Sequence, residues 1–391
     1  MNILWLCPDV PGRTAFGGDF DIRVRLEEAH AVGHRIHLLA YHRHPVDAET
    51  QQRVAALTTS RLLVNRRRRV HQLFGLRPYS ARNRCDRQGK AYVQDVARNV
   101  PVDVAILEHT QMGSFAPILR RHKIPFILRL HNLETRYFRS QAQAAPDLRR
   151  RAGYWIESLR LGPFERRLVR DADCVVTVAP DEADAVASWA RQVRWLPVAF
   201  GEAQAASWRP GRDLVCVFTG SMDLAVNERA ALWFAEQVLP RLRASIPEAR
   251  FQVVGRRPSP RLQAAAQRLG FLVTGEVPSV DPYIQAASHV VVPMPREAGI
   301  KIKLLEALSH GALVVTTPAC ADAAGVTAER EVLAADGAQE MADAIISSHQ
   351  DPATARRVAT AGHGFFQAHN TRATAGQAFL ATLQPYAPEA V

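Results

Sequence analysis

Val290-Val291-Val292-Pro293-Met294-Pro295-Arg296-Glu297-Ala298-Gly299-Ile300-Lys301-Ile302-Lys303-Leu304-Leu305-Glu306-Ala307-Leu308 reads as a buried strand, a turn and an amphipathic helix in immediate succession. A run of β-branched residues stopped by two prolines is a strand end. Apolar Leu304, Ala307 and Leu308 then recur at helical spacing, with Ile300 extending the same face, while Gly299, Lys303, Glu306 and His310 fall on the other. The stretch holds two of only four lysines in a chain with 49 Lys plus Arg. An ammonium that survives such an arginine bias, at a strand's carboxyl end and a helix's amino end, suits an anion such as a diphosphate. Glu306, one turn deeper, could accept from sugar hydroxyls. The alternative at this point is a solvated helix start with a Lys303 to Glu306 ion pair.

Working outward, short apolar runs alternate with longer amphipathic stretches over nearly the whole chain, which is the pattern of parallel sheets with crossover helices. Strands are expected at Ile3 to Cys7, Ile36 to Tyr41, Leu62 to Val64, Val104 to Leu107, Phe126 to Leu130, Cys174 to Val178 and Val193 to Leu196. The alternation breaks over residues 197–213 and resumes with Leu214 to Thr219, Phe251 to Val254, Phe271 to Val273, Val290 to Val292 and Leu313 to Thr316. An α/β protein with two open sheets follows, in accord with a length of 391 residues that points to two domains,. Ligands in such sheets bind beyond strand carboxyl ends. Glycines follow the first strand of each half, at Gly17-Gly18 and at Gly220-Ser221. Neither loop is GxGxxG or a Walker loop, which argues against dinucleotide and P-loop chemistry.

Charge is segregated. Residues 1–200 carry 32 Lys plus Arg against 20 Asp plus Glu, whereas residues 201–391 carry 17 against 18. The densest basic part, from Arg61 through Arg66 to Arg69 and on to Arg87, is interrupted by Leu73, Phe74, Leu76 and Tyr79. It suits an anionic lipid surface or an acidic acceptor, or it is a solvated basic face. The five cysteines lack metal spacing and are expected to be reduced core thiols; no metal site is read among the 14 histidines,. With no basic segment ahead of its first apolar run and no run of about 18 apolar residues, the chain is expected to be cytoplasmic, peripheral at the inner membrane face, without signal peptide or membrane span.

Thr219-Gly220-Ser221-Met222 with Asn227, Val253-Val254-Gly255-Arg256, Val273-Thr274-Gly275-Glu276-Val277, and Gly299 to Leu308 with Gly311 occur in the order found in retaining GT-B glycosyltransferases of the family 4 group, and the chain resembles that family. Gly17-Gly18 with Arg23 and His131-Asn132-Leu133-Glu134 extend the resemblance to the first half. It implies an α/β GT-B architecture of two Rossmann-like domains with a cleft between them: an acceptor domain at 1–197, a linker at 198–213, a nucleotide-sugar domain at 214–365, and a segment 366–391 crossing back. The implied activity is metal-independent transfer of a hexosyl unit, with retention, from a UDP- or GDP-sugar to a glycan or lipid-linked acceptor in surface polysaccharide biosynthesis. The nucleotide sugar is a co-substrate; no cofactor and no nucleic acid are implied.

The same resemblance gives Lys303 the donor diphosphate, Glu306 the ribose and His131 a catalytic position in the cleft. Gly17, Gly18, Gly220, Ser221, Gly299, Ile300 and Lys301 join the donor site, with Gly255, Arg256 and Val277 near the base. The sequence departs from the family twice. Glu297 and Glu306 are separated by eight residues where relatives have seven, so Glu297 either reaches the sugar by an altered loop or is a surface residue. Ser221 and Asn227 stand where many relatives carry Arg and Lys, which leaves the diphosphate charge to Lys301, Lys303 and Arg256. A sugar-nucleotide epimerase on the same fold, or a non-catalytic donor-binding subunit, are the other readings.

Overall fold

The computed structural model describes residues 1–12, 17–66, 75–145, 147–204, 208, 213–294 and 300–388. Glu297 and Gly299, and the arginines at 67–69, lie outside the described residues. The chain divides into two compact units, Met1–Ala199 with Ala375–Val391, and Phe200–Thr374.

The first unit is built on seven parallel strands in the order β3-β2-β1-β4-β5-β6-β7. These are β1 (Asn2–Cys7), β2 (Arg35–His42), β3 (Ser60–Asn65), β4 (Val104–Glu108), β5 (Phe126–Leu130), β6 (Cys174–Thr177) and β7 (Val193–Trp195). Each lies where the apolar runs predict it, because strands covered by helices on both faces are apolar throughout. Successive residues part to opposite faces: Leu4 and Leu6 pack with Leu39 and Leu107, whereas Ile3, Trp5 and Cys7 pack with Leu38 and Ile106,. Phe379 and Leu383 of the final long helix, Arg372–Leu383, complete the second layer, with the Phe379 ring 5.7 Å from Trp5.

The second unit has six parallel strands in the order β10-β9-β8-β11-β12-β13. They are β8 (Val215–Thr219), β9 (Arg250–Val254), β10 (Leu272–Val273), β11 (His289–Val292), β12 (Val314–Thr316) and β13 (Leu333–Ala334). The two-residue β13 was not foreseen, being too short to carry a period. Trp208 belongs to this unit, its indole Nε1 donating to the Ser288 carbonyl at 2.8 Å. In both sheets the strand order reverses beside the first strand, at β1/β4 and at β8/β11, and these switch points open crevices at the carboxyl ends. Among the described residues no helix is long and apolar enough to cross a membrane. Cys7, Cys174, Cys216 and Cys320 are buried free thiols, and Cys85 is half-buried.

Candidate functional site

In the second unit the site grows from two glycines. Gly220 ends β8 at φ 149° and Gly255 ends β9 at φ 153°, conformations that L side chains rarely adopt,. A Cβ on Gly255 would lie 1.8 Å from the Gly220 carbonyl oxygen, and one on Gly220 would lie 2.8 Å from Lys303 Nζ. Both positions therefore need glycine so that two turns and a lysine can converge at one sheet end. The Gly220 amide donates to Val254 O at 3.0 Å and the Met222 amide to Arg256 O at 2.9 Å, which ties the turns together.

Lys303 reaches into this convergence from the helix Ile302–Ser309, whose Leu304, Leu305, Ala307 and Leu308 are buried as the period requires. Its ammonium donates to Asn227 Oδ1 at 2.8 Å and sits 4.0 Å above the Phe218 ring centroid. Asn227 is itself fixed, its Nδ2 donating to the Ser221 carbonyl at 2.8 Å. Asn227 thus holds the Lys303 ammonium in place. Burial, then the neighbouring Lys301 charge, push the Lys303 ammonium down to about 7,. Among the described residues no carboxylate forms a salt bridge with this enclosed ammonium.

Glu306 lies one turn further along that helix, accepting from Thr219 Oγ1 at 3.4 Å. Burial, then Asp281, push its carboxyl up to about 7, against the opposing pull of Thr219 and Lys303. Arg256 donates through Nε to Ser221 Oγ at 2.9 Å, and Ser221 donates in turn to Asp223 at 2.6 Å. Lys301 precedes the helix as its cap residue in extended conformation, and Ile300 beside it is half-buried. Val277 is half-buried in the segment after β10. Gly220, Ser221, Gly255, Arg256, Lys303 and Glu306 are therefore gathered at the carboxyl ends of β8 and β9. His310 closes the helix in a buried position, its Nε2 3.1 Å from Asp281 Oδ1.

The first unit holds a separate polar centre that the sequence reading reached only through His131. His131 follows β5 and its Nε2 lies 2.8 Å from Glu108 Oε2 at the end of β4. Glu108 also accepts from Arg129 Nη1 at 2.6 Å and from Trp5 Nε1 at 2.9 Å. Arg129 donates to Asp21 at 2.5 Å, and Asp21 accepts from the Ala199 amide at 3.1 Å. Burial works to raise the Glu108 carboxyl, but Arg129, then His131 and Trp5, hold it down to about 2. Burial and the stacked His109 ring, 4.3 Å away, lower His131. A neutral imidazole donating from Nε2 to an ionised carboxylate keeps Nδ1 as an acceptor. Gly17 and Gly18 begin the helix Gly17–Ala31 that carries Asp21. The signal for Arg129 and Glu108 was present in the sequence as charges inside or ending apolar strands; their mutual pairing was not.

At the carboxyl ends of β1 to β3 stand further arginines. Arg84 is buried, donating to Pro8 O at 3.0 Å and pairing with Asp9 at 3.4 Å. Arg66, directly after β3, is half-buried, and burial with Arg84 and Arg43 lowers it to about 10. This part of the basic stretch is thus folded into the unit rather than forming a solvated face.

Two open parallel sheets of this kind, each with its switch point beside its first strand, make up the GT-B fold. Residues 213–351 match the family model Glycosyl transferases group 1, so the second unit is a domain of that type. Over 99% of both chains, the structure is similar to sucrose-phosphate synthase from Thermosynechococcus elongatus, at a TM-score of 0.68 and 17% identity. It is also similar to Anabaena HepE in complex with UDP, at a TM-score of 0.65 and 13% identity over 98% of this chain and 100% of the other. In sequence, an uncharacterized 44.6 kDa protein in the cps region of Klebsiella pneumoniae is 18% identical over 380 residues, which cover 94% of this chain and 95% of that protein.

Proposed function

We propose that this protein transfers a hexosyl unit from a UDP- or GDP-sugar to a hydroxyl of a glycan or lipid-linked acceptor, with retention of configuration, in surface polysaccharide biosynthesis. The observation that carries the reading is the Lys303 ammonium, held by Asn227 and Phe218 against the Gly220 turn with Glu306 beside it. The match of residues 213–351 to a glycosyltransferase family and the similarity to a UDP-bound structure support it. The cps-region relative supports the polysaccharide context.

In this reading the donor diphosphate lies on the Gly220 and Gly255 turns, and Lys303, with Lys301 and Arg256, neutralises the charge that develops as it leaves. Fixed cations and amides can do this without a metal ion. Glu306 accepts from the ribose, and backbone near Gly255, Arg256 and Val277 meets the base. His131, neutral and oriented by Glu108, offers Nδ1 to a sugar hydroxyl. A leaving-group phosphate oxygen takes the acceptor hydroxyl's proton, so no protein base is required. Arg84, which pairs with Asp9 at 3.4 Å, and half-buried Arg66 support an acidic acceptor.

Lys303→Ala is expected to abolish transfer from UDP-glucose or GDP-mannose while leaving the circular dichroism spectrum unchanged; wild-type turnover by that variant would remove the assignment. Incubation with the nucleotide sugar alone separates transfer from epimerisation, since only an epimerase yields an isomerised donor without acceptor.

A further inference from the structure

The helix Leu148–Asp171 carries a feature that glycosyl transfer does not use. Seven large hydrophobic residues are exposed among the described residues, and four of them, Leu148, Trp155, Ile156 and Leu159, belong to this one helix. Leu148 is 79% and Leu159 56% exposed. Leu148, Ala152, Trp155 and Leu159 follow one another at spacings of four, three and four, so they form a single stripe. Continued at the same spacing, the stripe passes Pro163 and reaches Arg166 and Arg170, both exposed. The outward face is therefore apolar in its first half and cationic in its second.

Along the helix itself the outward charges are cationic, while Asp147 just ahead of it pairs with Arg150 at 3.4 Å and Asp181 pairs with Arg136 at 3.4 Å. The helix holds seven arginines and three acidic residues, and two of the latter, Glu157 and Glu165, are buried. Glu157 accepts from the Tyr79 and Ser80 amides, and Glu165 from Thr110 Oγ1 and the Glu134 amide. The third, Asp171, is occupied by Arg120 at 2.8 Å and Arg167 at 3.7 Å. Two shallow grooves lie against the preceding helix Glu134–Ala144. One, of 710 Å³, is lined by Ala142, Gln143, Leu148, Arg151, Ala152 and Trp155, so that an arginine edges the apolar residues. The other, of 640 Å³, gathers Arg136, Arg139, Arg166, Arg167 and Arg170.

We infer that this face docks on an anionic lipid bilayer, with Leu148, Trp155 and Leu159 entering the headgroup boundary and the arginines meeting lipid phosphates. Exposed apolar rings and arginines on one helix face are what an interfacial helix requires. A second copy is the weaker occupant. Flanking positions of a helix pair need opposite charges, and here Arg149, Arg160 and Arg167 line one side and Arg151 the other without outward carboxylates to meet them,. The inference is independent of the glycosyl-transfer reading and moves the membrane contact from residues 61–87 to this helix.

The test is co-sedimentation of the full chain with vesicles of phosphatidylcholine alone and with phosphatidylglycerol added, in the absence of donor and acceptor. Binding is expected only to the anionic vesicles and should fall with salt. Trp155→Ser with Leu159→Ser should weaken it about tenfold or more, and Arg166→Gln with Arg170→Gln by roughly fivefold per arginine. Trp155 and Leu159 are about half exposed and Arg166 lies over the Trp189 ring at 5.3 Å, so a melting temperature lowered by no more than a few degrees is expected and serves as the folding control. Equal binding by wild type and both double variants, or no binding by wild type, would overturn the inference. A dimer in sedimentation velocity that Trp155→Ser with Leu159→Ser dissociates, without vesicle binding, would assign the face to a second copy instead.

Discussion

Donor binding should exchange protons with opposite sign on either side of neutrality. In the free protein Lys303 titrates at about 7 and Glu306 at about 7. A diphosphate against the ammonium favours its charged form, and ribose hydroxyls donating to Glu306 favour the carboxylate. Lys303 must gain a proton and Glu306 must lose one, so affinity peaks near pH 7. On the alkaline side the protonated fraction of Lys303 falls from about one half at pH 7 to about one hundredth at pH 9 while the ionised fraction of Glu306 rises from about one half to about one, a net loss of roughly twenty-five-fold in affinity that steepens toward about 1.4 kcal/mol per pH unit. On the acid side the ionised fraction of Glu306 gives a mirror-image loss between pH 7 and pH 5. Isothermal titration calorimetry with UDP-glucose and GDP-mannose, whose bridged phosphates do not titrate in this range, measures both limbs. Repeated in buffers of different ionisation enthalpy, it should show uptake of about one proton at pH 8.5, release of about one at pH 5.5 and near-cancellation at pH 7. Lys303→Met should flatten the alkaline limb and Glu306→Gln the acid limb. Constant affinity from pH 7 to 9 with no proton uptake would refute the role of Lys303.

Four further outcomes follow from the same geometry. Below pH 7 the folded protein carries a charged Lys303 that burial disfavours, and this cost disappears as pH rises toward the unfolded value of 10.5; Lys303→Met should therefore raise the melting temperature by a few degrees at pH 6 and little at pH 10, as read by calorimetry. Gly255→Ala places a methyl against the Gly220 carbonyl in a left-handed backbone and should cost about 2 to 4 kcal/mol in urea unfolding; a change within 0.5 kcal/mol would mean the turns are not tightly apposed. Arg129→Met removes the cation shared by buried Asp21 and Glu108, which keep only Arg25 and the Ala199 amide, and His131 and Trp5, respectively, and should lower stability by about 3 to 5 kcal/mol, whereas a loss under about 1 kcal/mol would show the network to be dispensable. Because Glu108 is held at about 2, its contribution is complete above the unfolded carboxylate range and is lost as pH falls from about 4.5 to 2; wild-type stability should drop across that window more steeply than that of Glu108→Gln.

Much of the fold was legible because strands buried on both faces write themselves as apolar runs. Twelve of the thirteen strands lie at their expected places, and the exception, Leu333–Ala334, has only two residues. The helix after β11 and the opposed placement of Leu304 and Lys303 followed from period alone, since backbone hydrogen bonding fixes which residues share a face. Reading Asn227 as the absence of a cation missed its function as the acceptor for Lys303. Nothing local records that pairing, because the two residues are 76 positions apart.

By itself, then, the sequence determined two parallel α/β units, the glycine turns at their strand ends and a lysine and a glutamate on one face of a short helix. Those features depend on interactions within a turn or a strand. Only the tertiary structure decided that the Lys303 ammonium is sunk over Phe218, that Asp21 meets Arg129 across 108 residues, and that the apolar stripe of Leu148–Asp171 faces outward. Burial and charge partners depend on which distant segments meet, and they set ionisation and exposure, which composition and period do not encode.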